Sequence, residues 1–530
     1  MKRWFLPVVL AATMPVVWLL SPATAAAESF SNGVASGDVT STSAILWTRV
    51  DGGGQAKVEV WDNAALTGKK AFQRNMPSTS AGSDFTVKID ATGLTPNTTY
   101  YYRFKHDTGT VTEVSPVGTF KTAPTSSTAA NVKFTYTADS DGTINPQTGQ
   151  PAFNNFETLN AARQENGDFF VYLGDTIYSD SAFGPPAMTI QDYWGKYKQN
   201  RTYANLRNLL ASTSTYAQQD DHEVVNDYDG QTVDPARYAA GIGAFLDYMP
   251  VRETGLINDP TCAGSPLFRQ FHWGNDVDVI VPDERSCRSP DVAVNPCQGD
   301  LAPTLPPPFR VAFGLPANPP PGCLAAINDP SRTVLGPVQK QALKTALLNS
   351  TAKFKFIANE YPIQQFWGLP YDRWEGYAAE RNELLNFIQD NDIQNVVFLT
   401  TDTHATIQNQ VFRDRFENCP TLSQSCAFVN PPDTIAYELV TGPIATFTFQ
   451  QEILLAFGAQ GPQRLEQLNQ ALDLAGVDCR DLNRNSYGLV ASSTTAGTAT
   501  LASKDENGAV ITDKRPGPDS TGTCTKTFGP

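Results

Sequence analysis

The chain has 530 residues, 41% of them apolar and 10% aromatic, too many for one core and too apolar for disorder. Its formal net charge of −15 argues against a nucleic-acid-binding surface, which needs basic patches, and suits a protein that gathers divalent cations.

Residues 1–27 read as a signal peptide. Lys2-Arg3 precedes an apolar run from Trp4 to Leu20, and Ala23-Thr24-Ala25-Ala26-Ala27 supplies the small residues of a cleavage site. Pro7 and Pro15 interrupt the run, so cleavage is expected and the mature protein should carry no transmembrane segment. Lys2-Arg3-Trp4-Phe5-Leu6 resembles a twin-arginine export signal one arginine short. The expected location is secreted or periplasmic.

From Phe30 to about Thr122 the pattern is β throughout. Val58/Val60 and Phe85/Val87/Ile89 alternate with polar residues, and Gly52-Gly53-Gly54 marks a turn. The stretch Leu94–Phe104, with Tyr100-Tyr101-Tyr102, resembles the corner and strand of fibronectin type III domains, where a tyrosine locks the turn. Residues 28–123 are therefore predicted to form an Ig/fibronectin III-like β-sandwich with a packing role. Pro124–Ala130 reads as a linker.

Residues 131–530 have a different texture. Apolar strands such as Phe169–Leu173, Val277–Val281 and Val396–Leu399 lie among helical patterns at Phe153–Asn166, Pro337–Asn349 and Ala378–Asp390. That alternation predicts a layered α/β (α+β sandwich) domain with ligands beyond the carboxyl ends of its strands. Between Cys287 and Asp329 a Pro-rich stretch is expected to lack regular structure and to form an excursion near the site mouth. Eight cysteines lie between Cys262 and Cys524, with no C-x-x-C pair, so disulfides are expected over metal ligation. Short spacing nominates Cys287–Cys297 and Cys419–Cys426.

Five motifs carry the chemistry: Ala138-Asp139, Leu173-Gly174-Asp175-Thr176-Ile177-Tyr178, Asp220-Asp221-His222-Glu223, Pro282-Asp283-Glu284-Arg285 and Thr401-Asp402-Thr403-His404. Carboxylates, an imidazole and a phenol gathered at strand ends are what a pair of hard metal ions requires. Gly174 is expected to let backbone approach those ions closely. Taken singly, Asp175 could cap a helix and His404 could be a core histidine. Only four histidines exist, and Asp402 stands two residues before this one. His106 and His272 read as structural.

The ordered set of Leu-Gly-Asp-x-Ile-Tyr, Asp-Asp-His-Glu and Asp-x-His resembles the alkaline phosphatase D (PhoD-like) family of calcineurin-like metallophosphoesterases. Gly33–Asp38, Leu46–Arg49, Asp372–Tyr377 and Asn485–Val490 extend the likeness from Phe30 nearly to the end. The resemblance implies a first metal held by Asp139, bridging Asp175, Tyr178 and His404, and a second by Asp175, Asp221, Asn359 and Asp402. The family's usual first ligand is a cysteine; Asp139 takes that place here, with Asp141 as the other candidate. Arg285 is similar to the family's phosphate-clamping arginine, with Arg288 in reserve. His222 is the expected proton donor to the leaving oxygen.

Asp139, Asp175, Asp221, Asp402 and a Tyr178 phenolate carry five negative charges, which one trivalent and one divalent ion balance. A phenol of pKa about 10 gives up its proton most readily on a strongly polarising ion, so Fe(III) is expected in the first site. The second, all oxygen, favours Ca(II), Mn(II) or Mg(II) over Zn(II), and the resemblance implies iron plus calcium. The expected function is a secreted metal-dependent phosphoesterase acting on phosphate monoesters or diesters by in-line attack of a metal-bound hydroxide. Its substrate would be a small phosphate ester or a phospholipid headgroup. A phospholipase D-like phosphodiesterase is the alternative on the same site, and a non-catalytic cell-surface adhesion protein the more distant one. A monomer is expected, with Ala182–Trp194 and the Pro-rich excursion in the pocket wall.

Overall fold

The computed structural model describes residues 29–529 except 53, 108, 110–111, 254–256, 265, 420–421 and 515–521. The expected signal peptide lies outside the described residues. The N-terminal region forms β1 (Val34–Gly37), β2 (Ser43–Arg49), β3 (Gly54–Trp61), β4 (Phe72–Thr79), β5 (Thr86–Thr92), β6 (Thr99–Asp107), β7 (Thr112–Val114) and β8 (Gly118–Lys121). Next come β9 (Lys133–Thr137), β10 (Phe169–Leu173), β11 (Ser214–Gln218), β12 (Arg269–Trp273), β13 (Val277–Val281) and β14 (Phe354–Asn359). The chain ends with β15 (Val396–Thr400), β16 (Thr406–Val411), β17 (Ala436–Val440), β18 (Cys479–Asp481), β19 (Ser486–Ser493), β20 (Thr498–Asp505) and β21 (Thr525–Phe528).

Two central sheets face each other. One runs β21-β20-β19-β9-β10-β11-β1-β2-β5 and the other β12-β13-β14-β15-β17-β16-β18. Phe134, Phe169, Val171 and Leu173 of the first share a core with Val279, Phe356, Ala358 and Leu399 of the second. The Phe134 and Phe356 rings meet edge to face at 5.1 Å, within the range such pairs favour. Helices including Ile190–Asn200 and Pro235–Tyr248 cover one outer face, and Gly336–Asn349 and Ala378–Asp390 cover the other. This is the layered α+β sandwich the alternation predicts. The all-apolar strand β10 is buried on both faces and pairs in parallel with β9 and β11, as two-sided burial demands.

The N-terminal β unit is less separate than the sequence implied. Strands β3, β4, β6, β7 and β8 form their own sheet, but β1 pairs in parallel with β11, so β1, β2 and β5 prolong the central sheet. The corner is present: the Thr95 N–H donates to the Tyr100 hydroxyl at 2.8 Å. Gly37 belongs to the docking seam, because a Cβ there would press on the Pro250 carbonyl and lie 2.8 Å from that of Thr215. Asp38 beside it pairs with Arg269 at 3.0 Å. His106 lies 2.9 Å from the Ser29 hydroxyl and His272 pairs with Asp278.

Four disulfides join Cys262–Cys287, Cys297–Cys323, Cys419–Cys426 and Cys479–Cys524. The expected Cys287–Cys297 pair is thus corrected. Cys287 ties the start of the Pro-rich excursion back to Cys262, and Cys297 closes a loop inside it with Cys323, a three-dimensional closure that short spacing does not encode. The excursion also contains helices Pro307–Ala312 and Cys323–Ile327, contrary to the expectation of no regular structure. Proline is accommodated in the first helical turn, where its missing N–H costs nothing. Among the described residues no helix is long and apolar enough to cross a membrane.

Candidate metal centre

The expected residues collect because parallel strands deliver their carboxyl ends to one edge. Asp139 follows β9, Asp175 follows β10, Asp221 follows β11, and Asp402 and His404 form the hook between β15 and β16. Asp139, Asp175, Asp402 and His404 have φ of 65°, 46°, 60° and 52°. This left-handed backbone costs a non-glycine residue about 1–3 kcal/mol and is held only where the surroundings over-determine it. Four of the chain's described left-handed residues lie in this one cluster.

The donor atoms of Asp139, Asp175 and His404 lie within 4.8 Å of one another, as do those of Asp175, Asp221 and His222, and those of Asp220, Asp221 and Asp402. Asp175 is common to the first two sets. The Tyr178 hydroxyl lies 3.0 Å from His404 Nε2, so both donors address one point. Asp139 Oδ1, Asp220 Oδ2 and Asp221 Oδ1 are buried with no hydrogen-bond partner. Buried carboxylate oxygens left orphaned are costly unless a cation takes them, and the donor set fits hard ions.

Charge supports the same fit. A cavity of about 610 Å³ opens over these residues, lined by nine carboxylates, two histidines and neither lysine nor arginine. Burial, then Asp221 and Asp220, pushes the Asp175 carboxyl well above its usual range. Burial, with Asp220 and Asp372, does the same to Asp402. Asp220 is carried by burial, against Arg285, up to about 7. Burial would lower His222, but Asp221 and Asp180 outweigh it and hold the imidazole at about 9.

Supporting residues fix this arrangement. Glu223 accepts the N–H groups of Thr176 at 2.6 Å, Asp220 at 2.7 Å and Asp175 at 3.2 Å, tying the loops after β10 and β11 together. The Thr401 hydroxyl donates to Asp139 Oδ2 at 2.6 Å. Asp141 lines the cavity and accepts the Thr143 N–H at 2.9 Å; the close donor group with Asp175 and His404 contains Asp139. Gly174 makes room for a neighbouring strand end rather than for ions: a Cβ there would lie 2.5 Å from Asp220 Cβ and 2.8 Å from its nitrogen.

Two expected site residues have their polar atoms taken by other partners. Asn359 is fully buried at the end of β14. Its Oδ1 accepts the Trp374 indole N–H at 2.9 Å, and its amide donates to Tyr361 O and Thr400 Oγ1. Asp220 occupies the acidic group in its stead. Arg285, completely buried, donates to Asp220 at 2.6 Å and to both oxygens of Asp372 at 3.0 Å, with Asp221 and Asp402 within 4.0 Å. Every fork of that guanidinium is spent on carboxylates, so it is the counter-ion beneath the site rather than an open clamp. Arg288 also turns to Asp372 and does not line the cavity. Asp220, Glu223 and Asp372 lie inside motifs the sequence singled out, but nothing local distinguishes them from their neighbours.

A model of the PhoD-like phosphatase family matches residues 146–499, and a model of that family's N-terminal domain matches residues 17–124. The chain belongs to the PhoD-like phosphatase family. Alkaline phosphatase D of Bacillus subtilis (strain 168) is 32% identical over 419 residues, covering 71% of this chain. The matched stretch spans 64% of that enzyme's length. A solved structure of PhoD superposes with a TM-score of 0.71 at 23% identity, over 95% of this chain and 90% of that one. A purple acid phosphatase, PPD1 from yellow lupin (Lupinus luteus) seeds, follows at 0.52 and 10% identity, over 94% and 73%. At these identities the two structures show a shared fold. In this PhoD-like phosphatase the acidic strand ends described above fall within the matched region, apart from Asp139, which precedes it.

Proposed function

We propose that the chain is an exported, metal-dependent phosphoesterase that hydrolyses phosphate monoesters and diesters. One observation carries this reading: a cavity walled by nine carboxylates against two histidines, with no lysine or arginine, repels a phosphate ester until cations reverse its charge. Fe(III) on Asp139, Asp175, Tyr178 and His404, and Ca(II) on Asp175, Asp221 and Asp402, match the donor types and charge. Mn(II), Mg(II) and Zn(II) are the alternatives in the second position. Such cations supply Lewis-acid charge for the phosphoryl oxygens and acidify water.

The chain's own residues do the rest. His222 Nδ1 donates to Asp180 at 2.5 Å, and its ring stacks on Tyr178 with centroids 4.0 Å apart. Fixed on two sides and holding its proton up to about pH 9, His222 is placed to donate from Nε2 to the leaving alkoxide. Phe153, Phe447 and Leu369 form an apolar part of the wall for the alcohol portion. That wall also supports the second reading, a phosphodiesterase acting on phospholipid headgroups. Disulfides fit an oxidising compartment.

Turnover of p-nitrophenyl phosphate and its bis-ester before and after chelation is the test. Activity lost on chelation and restored by cations is expected, with His222→Asn lowering kcat about 10²–10⁴-fold. Full activity in chelated protein, or none on either ester when loaded, refutes the proposal. A tyrosinate–iron absorption band in the visible supports the iron assignment, and a colourless, fully active protein removes it.

A further inference from the structure

We infer that Glu452 is a positioning residue that aims His404 at the metal; this rests on the reading of the cavity as a metal centre. His404 Nε2 faces the site, 3.0 Å from the Tyr178 hydroxyl and 3.6 Å from Asp139 Oδ1. Its other nitrogen, Nδ1, lies 2.7 Å from Glu452 Oε1. A carboxylate on Nδ1 keeps the ring proton there, which leaves the Nε2 lone pair free for a cation and fixes the plane of the ring.

Glu452 comes from an element built to hold this contact. Helix Phe449–Phe457 opens with a capping box in which Thr448 and Gln451 satisfy each other's backbone. The first turn is tied to the hook itself, since the Phe449 N–H donates to the His404 carbonyl at 2.9 Å. The Gln450 N–H reaches Leu482 O at 2.9 Å, and the Thr448 hydroxyl reaches Asn483 at 2.8 Å. The helix thus grips His404 by backbone and side chain together, and Glu452, three residues past Phe449, reaches the ring edge at Nδ1. Its partial exposure, 38% of the side chain, admits a competing account in which it is an ordinary surface carboxylate with an incidental partner.

Co(II) titration of chelator-stripped protein, followed by visible absorption, separates the two. His404→Ala identifies the binding phase that depends on the imidazole. Glu452→Ala is expected to weaken that phase about 10–100-fold while leaving the other phase and the melting temperature unchanged. Glu452→Gln, whose carbonyl can still accept from Nδ1–H, should recover most of the affinity. An alanine variant that titrates like the parent overturns the inference, and so does a glutamine variant as weak as alanine. Failure of the parent to bind Co(II) at all sinks the metal-centre reading itself, and this proposal with it.

Discussion

Gly442 leaves room beside the buried carboxylate of Asp139, and adding one methyl group there tests how tightly the acidic cluster is built. At φ +110° a Cβ would fall under 3.0 Å from Asp139 Oδ2 and lie 3.2 Å from Thr401 Oγ1, the two ends of one hydrogen bond. Asp139 is fully buried and has nowhere to retreat. Three costs combine in Gly442→Ala. Backbone strain contributes about 1–3 kcal/mol. The lost hydrogen bond to a charged group contributes about 1.5–3 kcal/mol. Displacing Asp139 by about 1 Å would lower kcat/KM about 10²-fold. The first two sum to about 2.5–6 kcal/mol, expected in thermal melts, with substoichiometric metal in purified protein. Thr401→Val removes the hydroxyl without adding bulk and should show only the hydrogen-bond part. A Gly442→Ala protein with unchanged melting temperature and metal content would refute the steric reasoning.

Arg285→Ala leaves Asp220 and Asp372 buried without their cation and should destabilise the protein by about 3–5 kcal/mol; a normal melting temperature with only a raised KM would restore the phosphate-clamp role. Asp220 titrates near 7 in the fold against 3.8 ordinarily, so the folded state binds this proton more tightly than the unfolded one. Its contribution is complete at low pH and is lost as pH rises from about 4 through 7. Chelated protein should therefore melt lower at pH 8 than at pH 5, with added cations abolishing the difference; a chelated protein more stable at pH 8 contradicts this. Far from the site, burial would raise the Glu59 pKa, but Lys70 at 2.7 Å and Lys105 at 3.1 Å outweigh it and hold it at about 2. Its stabilisation is present above about 4.5 and lost as pH falls toward 2. Glu59→Gln should cost about 1–2 kcal/mol at pH 7, a figure reduced for the exposed lysines, with no difference from the parent near pH 2.

The sequence by itself determined the class of protein and the chemistry at its strand ends. Apolar runs such as Phe169–Leu173 make buried strands; a single carboxylate past one has bland explanations, and the ordered set of motifs is what singled out Asp175, Asp402 and His404. The tyrosine corner and the Cys419–Cys426 loop were legible too, since both are local. Tertiary structure alone decided the partners. In the sequence Arg285 reads as a phosphate clamp or as the partner of its neighbours Asp283 and Glu284, and only folding brings Asp220 and Asp372 to its guanidinium. Asn359 ends a strand where a ligand belongs, yet the indole of Trp374, fifteen residues on, takes its oxygen. Gly174 and Gly442 look alike as glycines, and only the close approach of Asp220 to one and Asp139 to the other gives each its purpose. Even the join between the N-terminal β unit and the central sheet depends on β1 meeting β11 far along the chain. Hydrophobic period is written in neighbouring residues, whereas charge pairing and close packing depend on which distant segments meet, and local pattern carries no record of that.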